Sequence, residues 1–428
     1  TSTNTPSLTL TPTSTNTSIS TPTFTYTPSP TATGTPTPTV TSSASAPIHV
    51  PTPTPILQPT INPSLTINVT DFGAIANDST DDLDAIQSAI NYVASQGGGT
   101  VAFSPGTFLI RSRSSASDGA IRMESHIALR GSGMGSTVIK LRDNDHGDIT
   151  GLIRNPVNTV KNNWVIQDLT LDGNRANNTG RVIGFFCGTL PGSLDTVENI
   201  RCLRVEIQNC MDYGFDPHER TTHLSLIDCL AHDNGLDGFT IDFSMESEIR
   251  GCRAWNNGRH GFNVVTDSYS VTLSDCLAEN NGGNGLMIQN RAHHVTVLNC
   301  AFKNNLLNGI TIREIDFVWI EDCDIHGNQK EGIALRGSGS IYVAGNNLLN
   351  NGLLGGYHDI KLDEYNSRGT QNCMIYYNSI YSLSSKRTKY GVYEVSGLQD
   401  YNVVTQNDIQ GQLTGTVYLT GIHSKTTF

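Results

Sequence analysis

No Asp, Glu, Lys or Arg occurs before Asp71. A segment without charge that is also poor in apolar side chains cannot bury enough surface to offset the entropy of ordering it. No apolar run approaches the ~20 residues that a membrane-spanning helix needs, which excludes such a helix. No Lys/Arg-rich run or basic amphipathic stretch occurs, so the electrostatic footprint of a nucleic-acid binder is missing. Charge is sparse, 15% of 428 residues, and the net −12 lies wholly on residues 71–428. A field of that sign repels polyanions, so an acidic ligand would need a local cationic groove. There is no HxxxH or HxH pair for a transition metal, no phosphate-cradling glycine loop and no Ser/His/Asp nucleophile order.

What is present divides in two. Residues 1–60 hold 42 Thr, Ser or Pro and 12 of the 17 prolines. Runs such as Pro51-Thr52-Pro53-Thr54-Pro55 favour an extended spacer. We therefore expect a disordered Thr/Ser/Pro-rich linker over 1–63, of a kind common in secreted proteins, joining a folded body at 64–428 to a part not in this sequence.

The body opens with a short strand at Thr66–Val69 and a helix signature. Ser79 or Thr80 is placed to cap it, Asp81 and Asp82 suit its positive end, and Leu83, Ile86, Ile90 and Val93 form one apolar face. Gly97-Gly98-Gly99 stops it, and Thr100–Phe103 returns to strand. One amphipathic helix before a long β region suits a lid on the end of a stack.

The repeat gives the fold class. Cys210, Cys229, Cys252, Cys276, Cys300 and Cys323 align, and all but the first are followed nine residues later by glycine: Gly238, Gly261, Gly285, Gly309 and Gly332. Cys210 begins a shortened copy with Gly214, and Asn346 with Gly355 continues the frame. After each glycine, two apolar columns (Phe215 to Ile333, Pro217 to Leu335) alternate with two mixed ones, beginning at Asp216 and His218. Period-2 alternation at a fixed 23–24-residue repeat predicts an all-β right-handed parallel β-helix. The cysteines should form a ladder of free inward thiols, and Asn256-Asn257, Asn280-Asn281 and Asn304-Asn305 should form side-chain ladders at the bends.

Stacking the copies puts His218 beside Asp242, with Asp216 on the same outward face. Tyr213 stacks near Asp237 and then His260, with Arg259 adjoining, and Arg313 and Arg336 continue the outward column. Arg181 and Arg220 are candidates to lie near. Close carboxylates push one pKa up, leaving a protonated member able to donate. A His and a Tyr beside such a pair suit removal of a proton alpha to a carbonyl group.

Tyr213-Gly-Phe-Asp-Pro-His-Glu219, Ala231-His-Asp-Asn-Gly-Leu-Asp-Gly-Phe239 and Arg259-His-Gly-Phe-Asn-Val-Val-Thr266 resemble the catalytic module of secreted bacterial mannuronan (alginate) C5-epimerases. Leu169–Arg175 and Val69–Ala74 are also similar to that module. The resemblance implies conversion of β-D-mannuronate to α-L-guluronate within the polymer. It implies Tyr213 and His218 as the acid/base pair and Asp216 and Asp242 at the substrate carboxylate. It implies Arg181, Glu219, Asp237, Arg259, His260, Asn263, Arg313 and Arg336 along the substrate. It further implies Ca²⁺, an alginate or polymannuronate partner, no nucleic acid or membrane partner, a monomer and an extracellular location. The sequence does not locate the calcium; Asp143, Asp145 and Asp148 read as a solvated loop rather than a site. Arg181 stands where the family pattern has lysine, and none of the family's Gly-Gly-x-Gly-x-Asp repeats occurs in the 428 residues.

Three rivals share the fold. An alginate lyase removes the same proton but expels the 4-O group, and a bifunctional enzyme does both. A galacturonan hydrolase needs carboxylates set for hydrolysis, and no consecutive Asp pair with a nearby Gly-His-Gly is present. A non-catalytic glycan-binding β-helix would bind without turnover. Removing residues 1–60 is expected to leave activity on the polymer unchanged, because they add nothing to a core. Loss of activity in a truncated body that still folds by circular dichroism would overturn the linker reading.

Overall fold

The computed structural model describes residues 58–427 apart from 158, 190, 191, 384 and 386. The disorder expected for the Thr/Ser/Pro-rich segment lies outside the described residues as far as residue 57. Gln58 and Thr60, assigned to the linker on composition, touch the body: Thr60 O lies 2.9 Å from His126 Nδ1, and Arg201 donates to Gln58. No helix among the described residues is long and apolar enough to cross a membrane.

One α-helix, Leu83–Ser95, buries Leu83, Ile86, Ala89, Ile90 and Val93 against the first strands. Its start differs from the sequence expectation. Neither Ser79 nor Thr80 caps it; Thr80 is held by Asp78 instead. Asp82 occupies the cap position but turns its buried carboxylate to the amides of Ile75 and Leu109, at 2.9 and 3.0 Å. Asp81 accepts the Leu83 amide at 3.0 Å. The carboxylate thus ties the loop amide of Ile75 and the strand amide of Leu109 together, and the helix end is left to water.

All strand ladders are parallel. A 12-stranded sheet runs from Ile121–Arg122 to Gly415–Tyr418, and the remaining strands form a 24-stranded sheet. The register is that of the repeat: Phe239↔Phe262, Phe262↔Leu286, Leu286↔Ile310 and Ile310↔Ile333 are direct neighbours. Inside, Trp164, Phe185, Phe215, Phe239 and Phe262 form one row with centroids 4.6–5.8 Å apart, the first three tilted by 47–48° and the last three stacked. Each fully buried ring contributes about 1.5–3 kcal/mol. Glycine opens each copy because the next coil passes close: a Cβ on Gly238 would sit 2.9 Å from Gly261 O.

All nine cysteines are buried and free. Cys229, Cys252, Cys276, Cys300 and Cys323 form the ladder, and Asn346 continues it by accepting the Cys323 amide at 2.9 Å. Cys210 does not belong to it. Its amide donates to Asn234 Oδ1 at 3.0 Å, which makes it the foot of the asparagine ladder Asn234–Asn257–Asn281–Asn305–Asn328–Asn351. The turn before Gly214 is not shortened as the sequence reading had it: Glu206 pairs with Leu230 and Phe215 with Phe239, so Val205 is the counterpart of Cys229 and Cys210 that of Asn234. Gly355 is also out of frame: Ile333 pairs with Ile360, so Asp359 takes the glycine position. In the doublets, Asn256, Asn280 and Asn304 adopt φ of 53–55°, where asparagine is tolerated, and the second asparagine is buried.

Asn281 Nδ2 reaches both Ala254 O and Asn305 Oδ1, and its Oδ1 accepts from Asn257. Asn281→Ala therefore strands several buried groups and is expected to lower stability by about 2–4 kcal/mol. Cys276→Ala removes one small side chain and is expected to cost about 1–2 kcal/mol. Denaturant midpoints of the two variants check the order; a larger loss for Cys276→Ala would overturn it.

Candidate active site

The outward columns of the 12-stranded sheet build the site. Strand Phe215–Pro217 lies between Phe185–Cys187 and Phe239–Asp242. This register sets His218 against Asp242, with Nε2–Oδ2 at 3.2 Å. The His218 amide donates to Cys187 O at 2.6 Å, and Gly188 runs so close beneath that a Cβ there would lie 1.9 Å from His218 O. The imidazole stacks on Phe186 at 5.6 Å. Its Nδ1 has two neighbours at 3.1 Å, the Glu219 amide and Glu219 Oε1. The amide suits a neutral ring and the carboxylate a charged one, so either state finds a partner. Burial opposes the imidazolium, but the hydrogen bond to Asp242 and the charges of Asp216, Asp242 and Glu219 outweigh it and raise the pKa to about 9.

Asp216 is buried beside this pair, and no described donor reaches its carboxyl. Burial, reinforced by Asp242 and Asp237 against the opposing charges of His218 and Arg259, pushes it up to about 8. It is therefore a neutral acid at neutral pH. Asp242 Oδ1 is buried without a partner. An orphaned acceptor beside a protonated acid is costly in a resting fold and is what a site awaiting a ligand contains.

Asp237 is fully buried and its carboxylate is saturated. Arg259 grips it at 2.6 and 2.6 Å, and the His260 amide, Asn263 Nδ2 and Thr240 Oγ1 also donate to it. It carries Arg259 rather than facing the groove. The Arg259 guanidinium lies 5.5 Å from the Tyr213 ring. Burial keeps Tyr213 a phenol, against the pull of Arg259. His260 Nδ1 accepts the Asn284 amide at 3.0 Å, which leaves Nε2 as the N–H donor, and burial lowers its pKa. Asn263 also takes a bond from Gln289 at 3.3 Å.

Arg181 flanks this cluster but is bound to Asp212 at 2.7 Å, with its side chain 71% exposed. Arg220 instead lies over Phe243, at 5.8 Å. Arg313 and Arg336 continue the column as expected. Both lie over Tyr365, at 5.0 and 5.3 Å, and Arg313 donates to Gln289. The sequence reading missed Phe186, Gln289 and Tyr365. Extending the Asp216 column back one coil would have found Phe186; Tyr365 sits on a loop outside the repeat.

No described cluster fits Ca²⁺. Asp145 is not the solvated residue expected but is buried, accepting from Ser112 at 2.9 and 2.5 Å. Asp143 is taken by Asn174 and Asn177, and Asp148 by the Arg181 amide.

The fold and this polar groove define a carbohydrate-active β-helix of the pectate-lyase-like class. Residues 66–334 match the family of rhamnogalacturonase A/epimerase, pectate lyase-like proteins, and 279–428 match a right-handed β-helix region. The A-module of Azotobacter vinelandii mannuronan C5-epimerase AlgE4 superposes with a TM-score of 0.83 at 33% identity, covering 84% of this chain and all of that module. Mannuronan C5-epimerase AlgE3 of the same organism is 45% identical over 207 residues, 48% of this chain and 11% of that protein. Alginate lyase 7, also from A. vinelandii, is 45% identical over 204 residues, 48% of this chain and 24% of that protein. The chain thus spans a quarter or less of these two relatives. It belongs to the family of mannuronan C5-epimerase A-modules.

Asp216 and His218 bind protons in the folded state that the unfolded chain releases at lower pH. Unfolding free energy therefore falls as pH rises from Asp216's ordinary value of 3.8 to about 8, and on through about 9 for His218. Asp216→Asn removes the first part. It is expected to melt a few degrees higher than the parent at pH 8, to match it at pH 4, and to lose at least ~100-fold in turnover. Identical melting shifts at both pH values would contradict the buried, protonated Asp216.

Proposed function

We propose that this chain epimerises β-D-mannuronate to α-L-guluronate at C5 within alginate. The observation that carries the reading is the neutral acid Asp216 set between the His218–Asp242 pair and Tyr213. H5 is alpha to the uronate carboxylate, so its removal drives negative charge onto that carboxylate. A protonated Asp216 and Arg259 are suited to take that charge. His218 and Tyr213 then serve as the acid/base pair once one of them has given up its resting proton: the deprotonated member takes H5 as a proton, and the other, still protonated, returns a proton from the opposite face of the ring. No electrons are gained or lost. His260, fixed as an Nε2–H donor, and Arg313 and Arg336 hold neighbouring uronates. Glu219 acts on His218 rather than on the sugar. The names of the AlgE relatives support this reading. We further take residues 64–428 as the catalytic body, acting as an extracellular monomer on the polymer and joined to residues 1–63 as a linker.

The alginate lyase relative favours a second outcome at the same groove. After the same proton removal, the electron pair forms a C4–C5 double bond and the 4-O group leaves with a proton. Proton NMR of polymannuronate incubated in D₂O distinguishes them. Epimerisation gives guluronate carrying deuterium at C5, whereas elimination gives unsaturated ends. Tyr213→Phe and His218→Asn are each expected to lower turnover by at least ~1000-fold with the melting curve retained. Full activity in both would remove the acid/base assignment.

A further inference from the structure

The columns that hold the reacting groups do not end at the site. The one that begins with Tyr213 and Asp237 passes Glu331 and reaches His358 and Tyr390, while the Asp216 column reaches Lys361, Tyr393 and Tyr418. Tyr393 is seven strands along the sheet from Asp216, roughly 34 Å at ~4.8 Å per step. Arg313 and Arg336, stacked on Tyr365, lie between the two places.

The far end is an ordered aromatic cluster. Tyr393 stacks on His358 at 4.1 Å and on Tyr418 at 5.2 Å, and Tyr390 lies 5.2 Å from Tyr393. The three tyrosines are partly exposed, and no described protein group bonds their hydroxyls. Tyr418 is 43% exposed on the last strand of the sheet, so it is not folded over the core end. Lys361 and Lys389 both act on His358, whose ring burial and these two charges keep neutral. The pectate-lyase-like family match stops at residue 334, before this cluster.

We propose that Tyr390, Tyr393 and Tyr418, with Lys361, form a distal subsite for the same polyuronate chain, several sugars from the reacting unit. The proposal rests on the function given above. Stacking holds the rings rigid, so little side-chain entropy is lost on contact, and hydroxyls that no described group bonds are left to donate to a ligand rich in oxygen acceptors. Lys361, paired with Asp363 at 2.9 Å, and Lys389 flank the rings, and their ammonium groups suit carboxylates. Continuity with the reacting columns selects a polymer lying along the sheet as the occupant.

The test compares kcat and KM on long polymannuronate and on a mannuronate tetramer, which is too short to bridge the two places. Tyr418→Ala, at an exposed position, and Tyr393→Ala are each expected to lower the polymer-to-tetramer ratio of kcat/KM about tenfold, through KM on the polymer. An unchanged ratio overturns the proposal, whether both substrates fall together or neither moves. Should the parent turn over neither substrate, the proposed function fails instead. Calorimetric Kd values for polymannuronate then decide the subsite: a tenfold weakening in Tyr418→Ala supports it, and an unchanged Kd overturns it.

Discussion

Everything in this molecule depends on each coil hydrogen-bonding to the next through its backbone at a fixed spacing of ~4.8 Å. That constraint turns a repeat in sequence into columns in space. A residue's neighbours are its counterparts one repeat away, so an inward column must be uniformly apolar or uniformly self-bonding. The phenylalanine stack meets the first condition and the Asn257–Asn281–Asn305 ladder the second. The same rule fixes the site. His218 meets Asp242 because their backbones are in register, and a slip of one residue would turn both inward.

Three acids within two coils would repel one another, and the protein treats each differently. Asp237 is buried and neutralised by a bidentate arginine. Asp242 is paired with an imidazole. Asp216 has neither and keeps its proton. The order of these solutions along the sheet sets the chemistry: a fixed cation at Tyr213, a titrating ring beside it, and a neutral donor between. Had Arg259 reached Asp216 instead, the site would hold no protonated acid for a substrate carboxylate.

The regular coils were legible because the repeat carries its own alignment. Counting from Gly214, Gly238 and Gly261 located Tyr213, His218, Asp216 and Asp242 together without any coordinates. Where the period breaks, counting failed. The coil after Ile333 is longer, which put Asp359 where Gly355 was expected, and aligning on cysteine alone misplaced Cys210, whose position belongs to the asparagine ladder while Val205 holds the cysteine position. Helix capping failed for another reason. Asp82 answers to a loop amide at Ile75 and to the strand amide of Leu109, 27 residues on, and no helix-capping signal reports either. Nor could composition show that Asp237 is saturated, since its partners come from two coils and one turn.

The division between regular and irregular coils also divides function. Proton chemistry needs a few groups held within hydrogen-bond reach, and the repeat supplies that by register alone. Recognition of a long chain needs groups that differ from one sugar position to the next, and a strict repeat would present the same group everywhere. The irregular coils break that sameness. The loop carrying Tyr365 lays one ring across two arginines that are otherwise equivalent, and the long coil to Tyr390 brings tyrosines to columns that carry other side chains on the coils between, Met287, Thr311 and Ala334 in one of them. Glu219 is a smaller instance. A turn residue with φ of 33° offers both its amide and its carboxylate to one imidazole nitrogen. Either proton state of His218 is thereby met without moving the backbone, which a group that must hold and release a proton in each cycle requires.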